Sequence, residues 1–210
     1  MVFISVFDSD EHVVRYESWF EKHSVVFQSE VNLLRSLLPE GKGFEVGIGT
    51  GLFAQELGIR MGNDPSKAML RVAQRRDLTT YQGKGNSIPF QDEYFDFVLM
   101  VTTLCFLDDV KGTLKECFRI IHPKGHILIG FVDKKSTLGQ TYLAKKEKSL
   151  FYKEARFYST REVLSLLEKS GFSVKKIRQT LFDDLKGITE IQEHKEGFGE
   201  GGFVGVLAER

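Results

Sequence analysis

Gly43-Phe44-Glu45-Val46-Gly47-Ile48-Gly49-Thr50-Gly51 is the stretch that decides the fold. A short apolar strand runs into three glycines at alternate positions, Gly47, Gly49 and Gly51, and a helix-forming run, Leu52–Leu57, follows at once. Glycine permits the tight turn and lets a ligand approach the backbone without a Cβ in the way. The helix behind it begins with N–H groups that lack intrahelical partners. Strand, glycine turn and helix together make a nucleotide-type ligand site. The dinucleotide fingerprint G-x-G-x-x-G is not met, because Leu52 or Ala54 stands where its last glycine belongs. Glu45 sits two residues before the first glycine. A carboxylate there repels a pyrophosphate and attracts a ligand that carries an ammonium and a sulfonium.

Working outward, residues 10–38 carry helical periodicity, with Val14, Trp19, Phe20, Val26, Val31, Leu34 and Leu37 on apolar faces. Pro39-Glu40-Gly41 ends that region. After the first strand and helix, the pattern predicts strands at 59–62, 78–82, 95–101, 126–132, 172–177 and 203–208. Helices are predicted near 66–76, 109–121, 138–148 and 160–170. Phe95–Val101 is a continuous apolar run, as a strand covered on both faces requires. Ser159-Thr160-Arg161-Glu162 reads as a capping box. Strands alternating with helices imply an α/β fold, a doubly wound, mostly parallel sheet with its ligand at the carboxyl ends of the strands.

Five motifs in order now resemble the class I (Rossmann-like) S-adenosylmethionine-dependent methyltransferases of small-molecule type. Glu45-Val46-Gly47-Ile48-Gly49-Thr50-Gly51 resembles their first motif, and the segment from Asn63 through Asp64-Pro65 to Leu70 their second. Ile88-Pro89-Phe90, with Phe95-Asp96 after it, resembles the L-P-F stretch before strand four. Arg119-Ile120-Ile121-His122-Pro123-Lys124-Gly125 resembles the turn before strand five, and Gly171-Phe172 the entry to strand six. The resemblance implies a seven-stranded sheet of order 3-2-1-4-5-7-6 with the last strand antiparallel, and S-adenosylmethionine as cofactor. It also implies a site for that cofactor. Glu45 would hold the methionine ammonium, and the backbone of Gly47, Ile48, Gly49 and Gly51 the methionine portion. Asp64 would accept from the ribose hydroxyls, Pro65 would border adenine, and Thr102 would touch the methionine end. Lys84 occupies the position where the family has an acid that accepts from adenine, and an ammonium cannot accept. Gly85, Asn86 and Ser87 are the nearby candidates for that duty.

Bulk numbers narrow the partners. The chain has 210 residues, 41% of them hydrophobic, which suits a single domain spanning 1–210. Within it, 1–40 reads as a helical cap and 133–158 as an insertion over the acceptor site. Lysine and arginine total 29, as do aspartate and glutamate, so charge gives no case for a nucleic acid or an acidic membrane. Cys105 and Cys117 show no metal or disulfide spacing, and no metal site is expected. No apolar run is long enough to span a bilayer. These features predict a cytoplasmic protein, monomer or homodimer, acting on a small molecule.

The acceptor is poorly encoded. The D/N-P-P-Y/F motif of nucleobase amino-methyltransferases is absent after strand four, where Val101-Thr102-Thr103-Leu104-Cys105-Phe106 stands. That leaves small molecules, namely amines, phenols, quinone-like rings or carboxylates, with an N- or O-nucleophile as the main expectation. Aromatic residues crowd the cap (Tyr16, Trp19, Phe20) and the insertion (Tyr142, Phe151, Tyr152, Phe157, Tyr158), and aromatic faces suit an amine or a flat ring. Tyr16 and His23 are the catalytic candidates, His23 because it lies near the cap's aromatic segment and imidazole is a common general base. A non-catalytic binding module, favoured by Lys84, and a nicotinamide-dependent oxidoreductase, disfavoured by Leu52 and Glu45, are the alternatives.

Overall fold

The computed structural model describes residues 6–210, so the first five residues of the expected cap lie outside it. Residues 10–38 form two helices, α1 (Asp10–Lys22) and α2 (Ser24–Leu37). They part at His23, whose φ of −114° and ψ of 41° leave the helical region. Val26, Val31, Leu33, Leu34 and Leu37 bury one face of α2 against the sheet.

The chain then alternates as its sequence suggests. β1 (Gly43–Val46), α3 (Leu52–Leu57), β2 (Met61–Asp64), α4 (Lys67–Arg75), β3 (Thr79–Gln82) and β4 (Phe95–Val101) come first. α5 (Val110–Ile120), β5 (Ile121–Val132), α6 (Thr137–Lys145) and α7 (Thr160–Lys169) follow. β6 (Ser173–Thr180), β7 (Lys195–Glu196) and β8 (Phe203–Glu209) close it. All strands join one sheet of order β3-β2-β1-β4-β5-β8-β6-β7. Its first five strands pair in parallel, and β8 runs antiparallel to β5 and β6. The expected seven-strand order returns once β7 is set aside. That strand is two residues long and pairs with Arg178 and Gln179.

Two strand starts differ from the sequence expectation by two residues or more. The second strand starts at Met61 and not at residue 59, because Gly58 is left-handed and the Ile59 N–H closes back on the Ala54 carbonyl at 2.9 Å. Residues 58 and 59 therefore finish the helix. β5 starts at Ile121, which pairs with Phe95. The register then shifts, and His126 pairs with Phe97. Lys124, at φ 68°, turns the chain inside that shift.

Both faces of the sheet are covered. Phe97, Leu99 and Val101 of β4 meet Phe53, Leu70 and the α2 face. Val98 and Met100 meet Leu114, Cys117, Val163 and Leu167 on the other side. Each such buried side chain contributes about 1.5–3 kcal/mol. The Ser159–Glu162 capping box opens α7 as the sequence predicted. After β3 the chain crosses to the other side of β1, so a crevice opens at the carboxyl ends of β1 and β4. No helix among the described residues is long and apolar enough to cross a membrane.

Candidate cofactor and acceptor site

A cavity of about 210 Å³ lies in that crevice. Its floor begins with the glycine turn. Gly47, Gly49 and Gly51 have φ of 74°, 54° and 83°, a region that L side chains rarely adopt. A Cβ at Gly47 would stand 2.3 Å from Thr103, and one at Gly51 would stand 2.3 Å from Leu78. Those two glycines let the turn pack. Gly49 differs, because the nearest atom to a Cβ there is the Tyr16 hydroxyl at 3.9 Å. It faces open cavity.

The turn offers shape more than free donors. The Gly47 and Ile48 N–H groups both donate to the Asn63 carbonyl at 2.9 Å, and Gly51 donates to Ile48 at 2.8 Å. Gly49 donates to Asp64 Oδ2 at 3.1 Å. The other carboxylate oxygen of Asp64 accepts from the Ser66 N–H at 2.8 Å. Burial pushes the Asp64 carboxyl up to about 6, while these two backbone bonds work the other way. A carboxylate has about four lone-pair sites, so two bonds leave capacity for a ligand.

Four buried oxygens lack a partner among the described residues, Glu17 Oε1 on α1 and Glu45 Oε2, Thr50 Oγ1 and Asn63 Oδ1 around this floor. Asn63 borders the cavity, its Nδ2 committed to the Gly83 carbonyl at 3.0 Å. Glu45 is 2% exposed and does not itself border the cavity. Burial, then the nearby Asp64 charge, hold its carboxyl well above the usual range. A buried, unpartnered acceptor is costly unless a ligand satisfies it, and the ammonium of a methionine would do so. The open face at Gly49 and these acceptors fit S-adenosylmethionine.

Among the sequence-predicted residues, Tyr16, Gly47, Gly49, Asp64, Pro65, Gly85, Asn86 and Thr102 line the cavity. Glu45, Ile48, Gly51 and Ser87 do not. Ile48 is buried in the core, and the Ser87 N–H closes a turn on the Lys84 carbonyl at 3.2 Å. Thr102 is left-handed at φ 48°, an outlier for a β-branched residue. Its N–H donates to the Gly130 carbonyl at 2.8 Å, which holds it there.

Lys84 is not an unpaired cation. Its Nζ lies 2.7 Å from Asp108 Oδ2, and Asn86 Nδ2 reaches Asp109 Oδ2 at 3.4 Å. Asp108 and Asp109 both border the cavity. The strand-three loop lacks an acid, and the segment before α5 brings two to the same wall. The sequence reading missed them because they lie more than twenty positions away from that loop.

The roof is aromatic. Tyr16, Trp19, Phe20, Tyr142, Phe151 and Tyr152 all border the cavity. Phe7 stacks on Phe151 at 5.4 Å. The Ser66 hydroxyl donates to the Phe7 carbonyl at 2.7 Å, and the Ala68 N–H to Asp8 at 3.2 Å. Arg76 joins roof to floor, pairing with Glu17 and donating to the Thr50 carbonyl at 2.9 Å. Phe157 and Tyr158 turn away and border a separate cavity of about 20 Å³ beside Cys105. Burial pushes the Cys105 thiol up to about 12, so it packs as an inert group.

The two catalytic candidates part company. The Tyr16 phenol is raised by burial, then by the Glu45 and Asp64 charges. It keeps its proton near neutrality. His23 lies outside the cavity wall. Its ring stacks on Trp19 at 4.6 Å, and Nδ1 lies 2.8 Å from the Trp19 carbonyl. The helix break at residue 23 turns it there, and continuous helical periodicity gave no warning of that break. Glu30, unnoticed in the sequence, borders the cavity at 4% exposure. Its signal was a lone acid on an otherwise apolar helix face.

Known proteins resemble this chain in sequence and fold. The methyltransferase-domain family matches residues 44–129. A crystal structure from Thermotoga maritima, described as a SAM-dependent methyltransferase and possible histamine N-methyltransferase, is 43% identical. It covers 99% of both chains with a TM-score of 0.95. An uncharacterised protein of Methanocaldococcus jannaschii is 40% identical over 96% of this chain and 98% of its own. An uncharacterised protein of Mycobacterium tuberculosis is 33% identical over 92% of this chain and 70% of its own. The chain belongs to the S-adenosylmethionine-dependent methyltransferases.

Proposed function

We propose that this enzyme transfers the methyl group to a small-molecule acceptor with a nitrogen or oxygen nucleophile, by in-line displacement inside the 210 Å³ cavity. The observation that carries this reading is the meeting, in one cavity, of an open Gly49 face, the Asp64 carboxylate and an aromatic roof. When bound, the cofactor supplies a methyl group already made electrophilic by its sulfonium.

The residues then have separate duties. Asp64 accepts from the ribose hydroxyls while its backbone bonds fix its angle. The Asn63 oxygen at the wall receives the methionine ammonium, and Glu45, buried behind that wall, acts on it through water. Gly47, Ile48, Gly49 and Gly51 shape the floor. Pro65, Gly85 and Asn86, with Asp108 and Asp109, bound the adenine end, Ser87 closes the turn behind them, and Thr102 sits at the methionine end. Tyr16 donates a hydrogen bond across Gly49. The helical cap and residues 133–158 exclude water and bring the acceptor into line. His23 acts only by holding Trp19. The name of the Thermotoga maritima relative, which mentions histamine, supports a nitrogen acceptor.

Thermal unfolding with S-adenosylmethionine, S-adenosylhomocysteine and NAD in parallel tests the cofactor assignment. A ligand at about a hundred times its Kd adds about 2.7 kcal/mol, which is roughly 5–11 °C for a domain of this size. The first two ligands are expected to give that shift and NAD none. Transfer of labelled methyl to a panel of amines and phenols then tests the acceptor class. A panel in which only proteins or nucleic acids become labelled sinks the small-molecule reading.

A further inference from the structure

Glu30 has no duty in the account above and no hydrogen-bond or ion-pair partner among the described residues. It lies within α2 on the face that carries Val26, Val31, Leu33 and Leu34. The carboxyl is 4% exposed, and no described residue donates a hydrogen bond to it or pairs with it. An apolar residue would complete that face at no desolvation cost. The carboxyl borders the cavity among Tyr16, Trp19, Phe20, Tyr142 and Tyr152.

The surroundings favour a cation. Glu30, Asp64, Asp108 and Asp109 border the cavity against a single lysine, Lys84, which is already paired with Asp108. Aromatic faces attract cations as well. An acceptor that arrives as a carboxylate or phenolate meets repulsion, whereas an ammonium meets a carboxylate and ring faces.

We propose that the acceptor is an amine and that Glu30 receives it, holding the ammonium and taking one proton so that the nitrogen lone pair faces the methyl donor. This rests on the methyl-transfer reading of the cavity. The step balances. The N–H bond breaks and the proton passes to a Glu30 oxygen. The nitrogen pair then forms the N–C bond while the S–C bond breaks with its pair left on sulfur. The methylated product departs as an ammonium, and Glu30 returns its proton to solvent.

The local chemistry suits that transfer. Burial alone pushes the Glu30 carboxyl up to about 8. A lysine-type ammonium titrates at about 10.4, so transfer to this group is far less uphill than to an ordinary carboxylate. The titratable groups that sense the Glu30 charge are Tyr16 from α1, Tyr142 from α6 and Tyr152 from the segment after it. All three phenols are raised, chiefly by burial, and hold their protons near neutrality.

Calorimetry on the S-adenosylhomocysteine complex tests the proposal without turnover. The probes are histamine, 2-phenylethylamine and butylamine, with 2-phenylethanol and butanol as uncharged matches. In the wild type at least one amine is expected to bind tenfold or more tighter than its alcohol, releasing close to one proton at pH 6.5. Glu30→Gln is expected to bind S-adenosylhomocysteine normally, and to lose both the amine preference and the proton release. An amine preference retained in Glu30→Gln overturns the proposal, as does a wild type that never prefers an amine. If Glu30→Gln alone loses S-adenosylhomocysteine, Glu30 serves the cofactor and the acceptor assignment falls. If the wild type itself fails to bind S-adenosylhomocysteine, the methyl-transfer reading fails, and this inference with it.

Discussion

The Gly49 N–H donates to Asp64 Oδ2 across 3.1 Å, tying the glycine turn of one strand to the end of the next. The link fixes the turn while leaving the Gly49 α-carbon bare toward the cavity. Gly49→Ala is therefore expected to fold. Its left-handed φ of 54° costs about 1–2 kcal/mol with a side chain, yet no protein atom lies within 3.9 Å of the new Cβ. Cofactor affinity is expected to fall tenfold or more, because the methyl group fills ligand space. Gly47→Ala carries the same kind of strain and also collides with Thr103, so it loses more stability. Thermal unfolding and S-adenosylhomocysteine calorimetry on the two variants separate these effects.

Asp64 holds two backbone N–H groups, and this shapes its test. Asp64→Ala strands both, at about 1–3 kcal/mol each, so lost binding would mix with lost order. Asp64→Asn keeps one acceptor oxygen. It is expected to remain folded and to weaken S-adenosylhomocysteine by about tenfold or more. Affinity unchanged in Asp64→Asn would remove the ribose assignment.

Glu30 makes stability depend on pH with a definite sign. Its folded value, about 8, lies above the ordinary 4.5. Between those values the folded state keeps a proton that the unfolded state has lost, so stability falls as pH rises. Asp64, raised to about 6 from 3.8, adds the same trend in a lower window. Glu30→Gln is expected to flatten the fall between pH 5 and 8, recovering about 3–5 kcal/mol at the upper end. Urea unfolding at a series of pH values reads this directly, and parallel curves for the two proteins would show that Glu30 ionises freely.

Lys84 and Asp108 form a half-exposed pair, at 50% and 42% side-chain exposure. Lys84→Ala is expected to change stability by less than about 1 kcal/mol. Lys84→Asp, which would restore the family's acid in sequence, sets a further carboxylate beside Asp108 and Asp109. It is expected to weaken S-adenosylhomocysteine binding. Asp108→Asn is expected to weaken it as well, by about tenfold, if its carboxylate serves adenine. A gain in affinity from Lys84→Asp would show instead that the position is vacant.

The legible parts of this molecule are those in which function and local chain geometry share one cause. The glycine turn, Asp64 at a strand end and the Ser159 capping box all express backbone needs that repeat within a few residues. Asp108 and Asp109 escaped because packing, not spacing, carries them to the wall beside Lys84. His23 escaped for the opposite reason, since a helix break turned a well-placed residue onto Trp19. Glu30 was visible as an acid on an apolar face, and only the cavity beneath it gives that oddity a meaning.

Arg76 grips Glu17 with one nitrogen and the Thr50 carbonyl with another, and this has a kinetic consequence. Product cannot leave by lifting α1 unless that grip opens. The pair is only about one-fifth exposed, at 19% and 22%, so dissolved salt screens it weakly. Arg76→Ala is therefore expected to ease any opening of α1, with little dependence on ionic strength, and product-release rates of the two proteins at low and high salt would check this.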